Sequence, residues 1–492
     1  MLGYFKRLAA SGAAYQASSL VAGFLALFTL PLYTRHLTRA ELGYAETLLT
    51  AIILSSILLR LGIGEAFVRF WFDDEDEERR RRLARTTTGV VLVISTVAGL
   101  VALVFAAAIS RALLATRDAT LIAFGLLGMW AFTNLEIAYA LLRVEERRRT
   151  YLIASVTNVV LTVVLTVLLV VVLDEGARGY VLGNYAASTV VLFGLWGLAL
   201  RDRIGLPAPG TLRRAALAPL VRFGGPTVPA DAAVFALNVV DRAYLLRAQS
   251  PAAAGLYSVS VKLATLVIVA VRGFQYAWPP LVYSVTDDAD ARRLYRSVTT
   301  YYVLITGLVV AGLVLLGRWL VRLLAAPAFF GAYKALPWVG LGWALYGLFL
   351  VFVTIAGRAK VTLRTLPAAL AGLVVNVIAL VVLVDPLGIS GAGIALCVAY
   401  VTMLAIVHLL TRRVFAVPFD WPRLGRIVAT VGGVAVAGEV LLPTAGWAGL
   451  LSRCAALAAI PLLLAPDLVR VIRVIDPRRA GIARAEAHMR QE

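Results

Sequence analysis

YLIASVTNVVLTVVLTVLLVVVL, residues 151–173, contains no charged side chain. As an α-helix rising about 1.5 Å per residue it covers roughly 34 Å, enough to cross a hydrocarbon core of about 30 Å. A helix on the surface of a soluble protein would show an apolar stripe and a polar face, whereas this block is apolar all round. Arg147 to Arg149 precede it and Asp174 with Glu175 follow, so the charges stop at its two ends. The same alternation of apolar block and charged punctuation continues outward in both directions. It predicts spans at 11–33, 44–66, 87–110, 119–142, 151–173, 180–200, 220–241, 255–280, 298–317, 335–357, 365–384, 389–411, 425–442 and 447–466. The predicted class is an all-α polytopic membrane protein of about fourteen transmembrane helices.

Composition excludes the main alternatives. Of 492 residues, 61% are hydrophobic and 15% charged, with a mean hydropathy of +0.87, too apolar for a water-soluble enzyme of this length. Ten-residue strand alternation, the mark of an outer-membrane barrel, is missing from the pattern. The net charge of +19 sits in short loops at span ends rather than in one tail or domain, which argues for membrane topology and against nucleic acid. An even number of spans puts both termini on one side. That side carries Arg79 to Arg82, Arg147 to Arg149, Arg213, Arg214, Arg412, Arg413, Arg478 and Arg479, and is expected to be cytoplasmic. The first apolar run follows Lys6 and Arg7 and reads as a span rather than a removable signal. Cys397 and Cys454 both fall in apolar runs, which argues against a disulfide framework or a cysteine metal centre.

The two halves of the chain match at a nearly constant offset in numbering. Arg35 and Arg247, Gly43 and Gly255, and Arg60 and Arg272 share an offset of 212; Asp73 and Asp287, and Gly179 and Gly393, share one of 214, and Asn158 and Asn376 are offset by 218. Six features in the same order indicate a repeat. Each unit holds six spans, so the second enters the membrane in the same orientation as the first. The expected architecture is two parallel six-helix lobes, 1–200 and 220–411, joined by a cytoplasmic linker at 201–219. Spans 13 and 14 follow in 412–466, with a basic tail at 467–492. Lobes related in this way are a transporter design in which they rock about a site at their interface.

Three stretches carry a family resemblance that extends over the whole chain: LPLYTRHLTRAELGYAETLLT at 30–50, LGIGEAFVRFWFDDEDEERRRR at 61–82, and VRFGGPTVPADAAVFALNVVDRAYLLRAQSPAAAGLYSVSVKLA at 221–264. The pair Asp241 and Arg242 followed by AGLYS, and LLRVEERRRTY at 141–151, are the most specific. The sequence resembles the polysaccharide-transporter branch of the multidrug, oligosaccharidyl-lipid and polysaccharide exporter superfamily, which includes O-antigen flippases and is related to the lipid II flippases. The resemblance implies a V-shaped fold of two lobes around a cationic cavity. It also implies a flippase that turns polyprenyl-diphosphate-linked oligosaccharide from the cytoplasmic to the outer leaflet by alternating access, for cell-surface polysaccharide biosynthesis in a bacterial or archaeal plasma membrane. The last two spans resemble helices that flank a lipid-tail groove in lipid II flippases.

A diphosphate crossing hydrocarbon needs a wet, cationic path, because an unpaired ion there costs many kcal/mol. Arg60, Lys262 and Arg272 lie within apolar runs, and intramembrane cations face a bundle interior or cavity by default. Arg242, Arg247 and Arg35 complete the candidate phosphate-binding set, Arg being suited to phosphate by its planar fork. Each is also long enough to reach a headgroup instead. Glu46, Asp231 and Asp241 are candidates for binding a coupling proton or sodium ion, with the membrane potential as another driving force; structural pairing with nearby Arg is the competing role. Asn158 and Asn376 are expected to hydrogen-bond between helices. Pro31, the stretch Gly224 to Pro229, and Pro279 with Pro280 are candidate bends. Tyr15, Tyr44, Tyr185, Tyr257, Tyr276, Trp343 and Tyr346 are candidate sugar contacts or interhelical packing.

Neither GxxxxGK[ST] nor HExxH occurs, and His36, His408 and His488 are scattered, so no cofactor, metal or ATP hydrolysis is expected. The expected partners are a lipid-linked oligosaccharide, membrane lipids and a glycan polymerase. The rival readings are a lipid II flippase, a multidrug exporter and a membrane glycan polymerase or ligase. An Arg-rich cavity would repel the organic cations such exporters carry, and the short outer loops leave little room for a polymerase acceptor site.

Overall fold

The computed structural model describes residues 23–72, 76–203, 214–268, 271, 278, 285, 287–358 and 365–465. Arg272, Asp73, Tyr15, Tyr276, Pro279, Pro280, linker positions 204–213, the tail from 466 and the start of the first predicted span lie outside them. The described residues form helices and no strand, and thirteen of the helices are long and apolar enough to cross a membrane. The first half consists of α1 (residues 23–36), α2 (Arg39–Leu59), α3 (Ile63–Trp71), α4 (Glu77–Val104), α5 (Ala106–Leu114), α6 (Ala119–Val144), α7 (Arg148–Val167) and α8 (Gly176–Gly194). After α9 (Arg214–Gly224), the second half has α10 (Val228–Ala248), α11 (Pro251–Leu263), α12 (Asp288–Leu324), α13 (Leu336–Arg358), α14 (Thr365–Leu387) and α15 (Ile389–Thr411). The pair α16 (Trp421–Leu441) and α17 (Gly446–Leu463) closes the chain.

Short polar side chains set where helices begin. Thr38 and Glu41 form a reciprocal cap at α2, and Ser250 accepts from the Ala253 N–H at the start of α11, with Pro251 in the first turn where no N–H partner is lost. Asp118 accepts from the Leu121 N–H to open α6 and also binds Arg178 of α8 at 2.9 Å. Burial pushes the Asp118 carboxyl up, but the Arg178 hydrogen bond and the helix N–H groups outweigh it and hold the pKa below the usual value. Asp118→Ala should therefore lower stability by about 1 kcal/mol at neutral pH. Because the folded pKa is depressed, that advantage is complete above the unfolded pKa and is lost as pH falls through the folded one. Melting curves of the two proteins should converge on acidification; a constant gap would contradict the assignment.

Helices α4 to α8 pack chiefly among themselves, with α6 against α4 and α8 and also against α2. Helices α10 to α15 do likewise, and α16 and α17 lean on α12. Between the groups, α2 lies along both α10 and α11, and α3 packs on α9, so one buried apolar cluster runs through both halves. The charged loops gather at one end of the bundle. There Arg147 donates to the Ala199 carbonyl (2.6 Å), Arg203 pairs with Glu145 (2.7 Å), Arg296 with Asp420 (3.0 Å) and Arg358 with Asp288 (2.8 Å).

Several predicted spans differ in the structure. The span at 44–66 is two helices broken at Arg60–Gly62, where Leu61 and Gly62 have φ of 49° and 70°. Two consecutive left-handed residues cannot continue an α-helix. The span at 87–110 divides at Phe105, and that at 298–317 is the middle of a 37-residue α12, whose polar first turns, capped by Asp287, extend past the apolar block. In the stretch Gly224 to Pro229, Gly225–Thr227 makes a 3-10 turn between α9 and α10, with right-handed helical backbone on both sides of it.

Candidate functional site

The two halves touch where the repeat places glycine. A Cβ on Gly43 would stand 2.0 Å from the Pro251 carbonyl oxygen, and one on Gly255 would stand 1.9 Å from the Arg39 carbonyl oxygen. Gly43 and Gly255 are repeat counterparts, and so, at the same offset, are Arg39 and Pro251, so the contact between α2 and α11 is a local pseudo-two-fold. Only glycine lets the backbones approach this closely. At the arginine-rich end, Gly62 and Gly224 make a second mutual contact: each hypothetical Cβ falls within 2.1 Å of the other's carbonyl oxygen. Here the positive φ of Gly62 requires glycine as well.

Close to the first crossing lies a buried charged centre. Glu46 of α2 accepts, on one carboxylate oxygen, from Lys262 Nζ of α11 and from the Tyr180 hydroxyl of α8, each at 2.8 Å. Lys262 also faces the Tyr180 ring at 5.7 Å, and Tyr33 meets that ring edge-on. The Glu46 side chain is 8% exposed and that of Lys262 21%, so only the cation has a face toward open space. Arg242 of α10 donates to Ser258 Oγ (3.2 Å) and the Asn238 carbonyl (2.9 Å). Ser258 is the repeat counterpart of Glu46, so the repeat is kept in geometry and broken in charge.

Asp241, beside Arg242 in sequence, accepts from the Tyr257 hydroxyl at 2.8 Å. Its other oxygen is turned toward the Asn376 amide of α14, the helix that packs on α10. That oxygen and both amide atoms of Asn376 are nonetheless buried without a well-formed hydrogen bond. Asn376 thus stops short of the expected interhelical hydrogen bond, and Asn158 Oδ1 is likewise unbonded. Buried polar atoms left open in this way suit a small cation or a proton, which would supply the missing partner.

Arg60 caps the end of α2 instead of sitting in mid-helix, and lies 3.8 Å from Glu136. With Glu65 and Asp231 it lines a cavity of about 200 Å³ between the halves, beside the Gly62–Gly224 contact. The remaining candidates lie apart. Arg247 donates to the Arg111 carbonyl at 3.0 Å and to that of Ala112, capping the C-terminus of α5, and Arg35 is exposed at the same end of the bundle. The expected symmetry of Arg60 and Arg272 is not described, because Arg272 lies outside the described residues.

An apolar groove of about 620 Å³ runs between α12, α13 and α16, past Thr306, Val310, Leu341, Leu345, Ile427 and Val431. Arg318, Lys334 and Glu439 stand at one end of it. The sequence reading did not single out Arg453 of α17, which is 0% exposed and holds the appended pair in place. It binds Glu439 and the carbonyls of Leu315, Leu442 and Pro443. Its signal was available: a lone Arg in an apolar span is a candidate by default.

Residues 8–285 match the sequence model of a family described as polysaccharide biosynthesis protein. No curated protein matches the chain. Among solved structures, the lipid II flippase MurJ in its inward closed conformation shares the fold over 93% of this chain and 98% of that one, with a TM-score of 0.75 and 14% identity. An inward-facing multidrug resistance MATE family transporter of the MOP superfamily is similar over 84% of this chain and 95% of its own, with a TM-score of 0.64 and 17% identity. A MOP superfamily transporter from Pyrococcus furiosus is similar over 85% and 93%, with a TM-score of 0.58 and 17% identity. At these identities the likeness establishes a common fold.

Proposed function

Because this chain belongs to the polysaccharide biosynthesis protein family, we propose that it is a flippase for a polyprenyl-diphosphate-linked oligosaccharide, working by alternating access in a bacterial or archaeal plasma membrane with both termini cytoplasmic. The carrying observation is the pair of cations Lys262 and Arg242 in the contact between the two helix groups, where a diphosphate passing between them must be neutralised. Arg60, at the arginine-rich end of the same contact, is the first cation met by a substrate entering from that side. The groove between α12, α13 and α16 has an apolar lining suited to an isoprenoid tail, which stays in contact with lipid while the head crosses. Asp241, with its open oxygen facing Asn376, is the proposed coupling-ion position. Asp231 and Glu46 have charged neighbours, Arg60 and Lys262, and serve the closure of the contact.

Cells lacking the protein should accumulate a polyprenyl-linked oligosaccharide on the cytoplasmic leaflet. At equal expression, Lys262→Gln and Arg60→Ala should each restore less than about a tenth of wild-type export, the loss of one strong phosphate contact. Full restoration by both would remove these cations from the substrate path. Product that is flipped normally but stays unpolymerised outside would favour a polymerase instead.

A further inference from the structure

Lys262 is already occupied. The oxygen that binds it belongs to Glu46, a side chain of the opposite helix group, and the two atoms are 2.8 Å apart. An anionic substrate head arriving at Lys262 therefore meets a resident carboxylate. We propose that Glu46 acts as an internal competitor for the substrate's diphosphate, so that binding of the head group breaks the Glu46–Lys262 bridge and releases α2 from α11. This rests on the flippase reading above and deepens it by tying substrate occupancy to separation of the two halves.

Charge and geometry support the exchange. Glu46, Asp241, Lys262 and Arg242 together sum to zero, so adding a diphosphate while Glu46 stays in place leaves the centre strongly negative in a poorly solvated site. Removing Glu46 takes one of those negative charges away. Glu46 is not stranded by the exchange, because Tyr180 donates to the same oxygen and belongs to the Glu46 half, so the two move as a unit. Lys262 has three donors, and its ammonium keeps an exposed face through which a phosphate oxygen can approach before the carboxylate leaves. The bridge lies one turn from Gly43 and two from Gly255, so its loss acts on the seam where the backbones touch. Ser258, the repeat counterpart of Glu46, is neutral, so among the described residues the crossing of α2 and α11 carries one ion pair and no symmetric second one.

The test is a distance measurement on the full chain in lipid nanodiscs. Spin labels go on the exposed positions Arg117 and Leu387, one on each half at the end bearing Gly43, as Arg117→Cys and Leu387→Cys with Cys454→Ser. The probe is farnesyl diphosphate, with farnesol as the uncharged control, and binding of the probe is measured in parallel. In the otherwise wild-type protein farnesyl diphosphate should lengthen the distance and farnesol should not. Glu46→Gln should give the same lengthening at about tenfold lower probe concentration, because the competitor is weakened. Lys262→Gln should abolish the response to the probe, because the cation that binds it is gone. If Glu46→Gln needs as much probe as wild type, the competition is wrong while the cationic site stands. If farnesyl diphosphate fails to bind the wild-type protein, the flippase reading fails with it.

Discussion

Gly43→Val and Gly255→Val should each reduce export by about 100-fold at equal expression, a larger loss than removal of any one cation. Their Cβ atoms would lie 2.0 Å and 1.9 Å from backbone oxygens of the facing helix, and backbone cannot swing aside as a long side chain can. Relief requires α2 and α11 to part by more than an ångström. That separation breaks the 2.8 Å Glu46–Lys262 bridge near the crossing and leaves the contact unable to close. Gly432→Ala and Gly433→Ala on α16 serve as controls, since nothing stands within 4 Å of either position, and both should leave export unchanged. Full export by Gly43→Val would show that the two helices need not meet during transport.

Arg453→Met should destabilise the appended pair by about 3–5 kcal/mol, the usual cost of removing one partner from a buried ion pair. The side chain is fully buried, stacks on Trp319 at 5.5 Å, and satisfies Glu439 and three carbonyls from α12 and the α16–α17 turn. Glu439 keeps Arg318 at 2.7 Å, but the bonds from Arg453 to the Leu442 and Pro443 carbonyls of the turn are lost. The expected result is a lower melting temperature together with new protease cleavage between α16 and α17. Arg453→Lys should rescue little, since an ammonium cannot reproduce the planar fork that reaches all four acceptors. A variant with wild-type melting would remove Arg453 from the architecture.

The helical class and the span pattern were legible because hydropathy is a local property, and residues such as 151–173 carry it without reference to neighbours. The repeat was legible too, and its glycines proved to be the meeting point of the two halves. The break at Arg60–Gly62 was not: a Gly in an apolar run is tolerated in membrane helices, and only the approach of Gly224 from a distant helix makes its positive φ necessary. Glu46 has no Lys or Arg within one helical turn of it in sequence. Its partner emerges once the crossing is known, because Glu46 is three positions past Gly43 and Lys262 seven past Gly255, spacings that keep both on the crossing face. Arg247 looked like Lys262 by sequence, yet the free carbonyls at the end of α5 take up its guanidinium. Such a cap depends on which helix ends nearby, and no residue at 247 encodes that.

The proposed activity is movement of a lipid diphosphate between leaflets, with Lys262 in the path. Purified protein in vesicles, given a fluorescent polyprenyl-diphosphate oligosaccharide in both leaflets, tests it most directly when dithionite is added outside to quench the outer pool. The expected result is quenching well beyond half with the wild-type protein, as inner-leaflet substrate moves outward, and quenching that stops at half with Lys262→Gln. Quenching that stops at half with the wild-type protein, as in protein-free vesicles, would contradict the account.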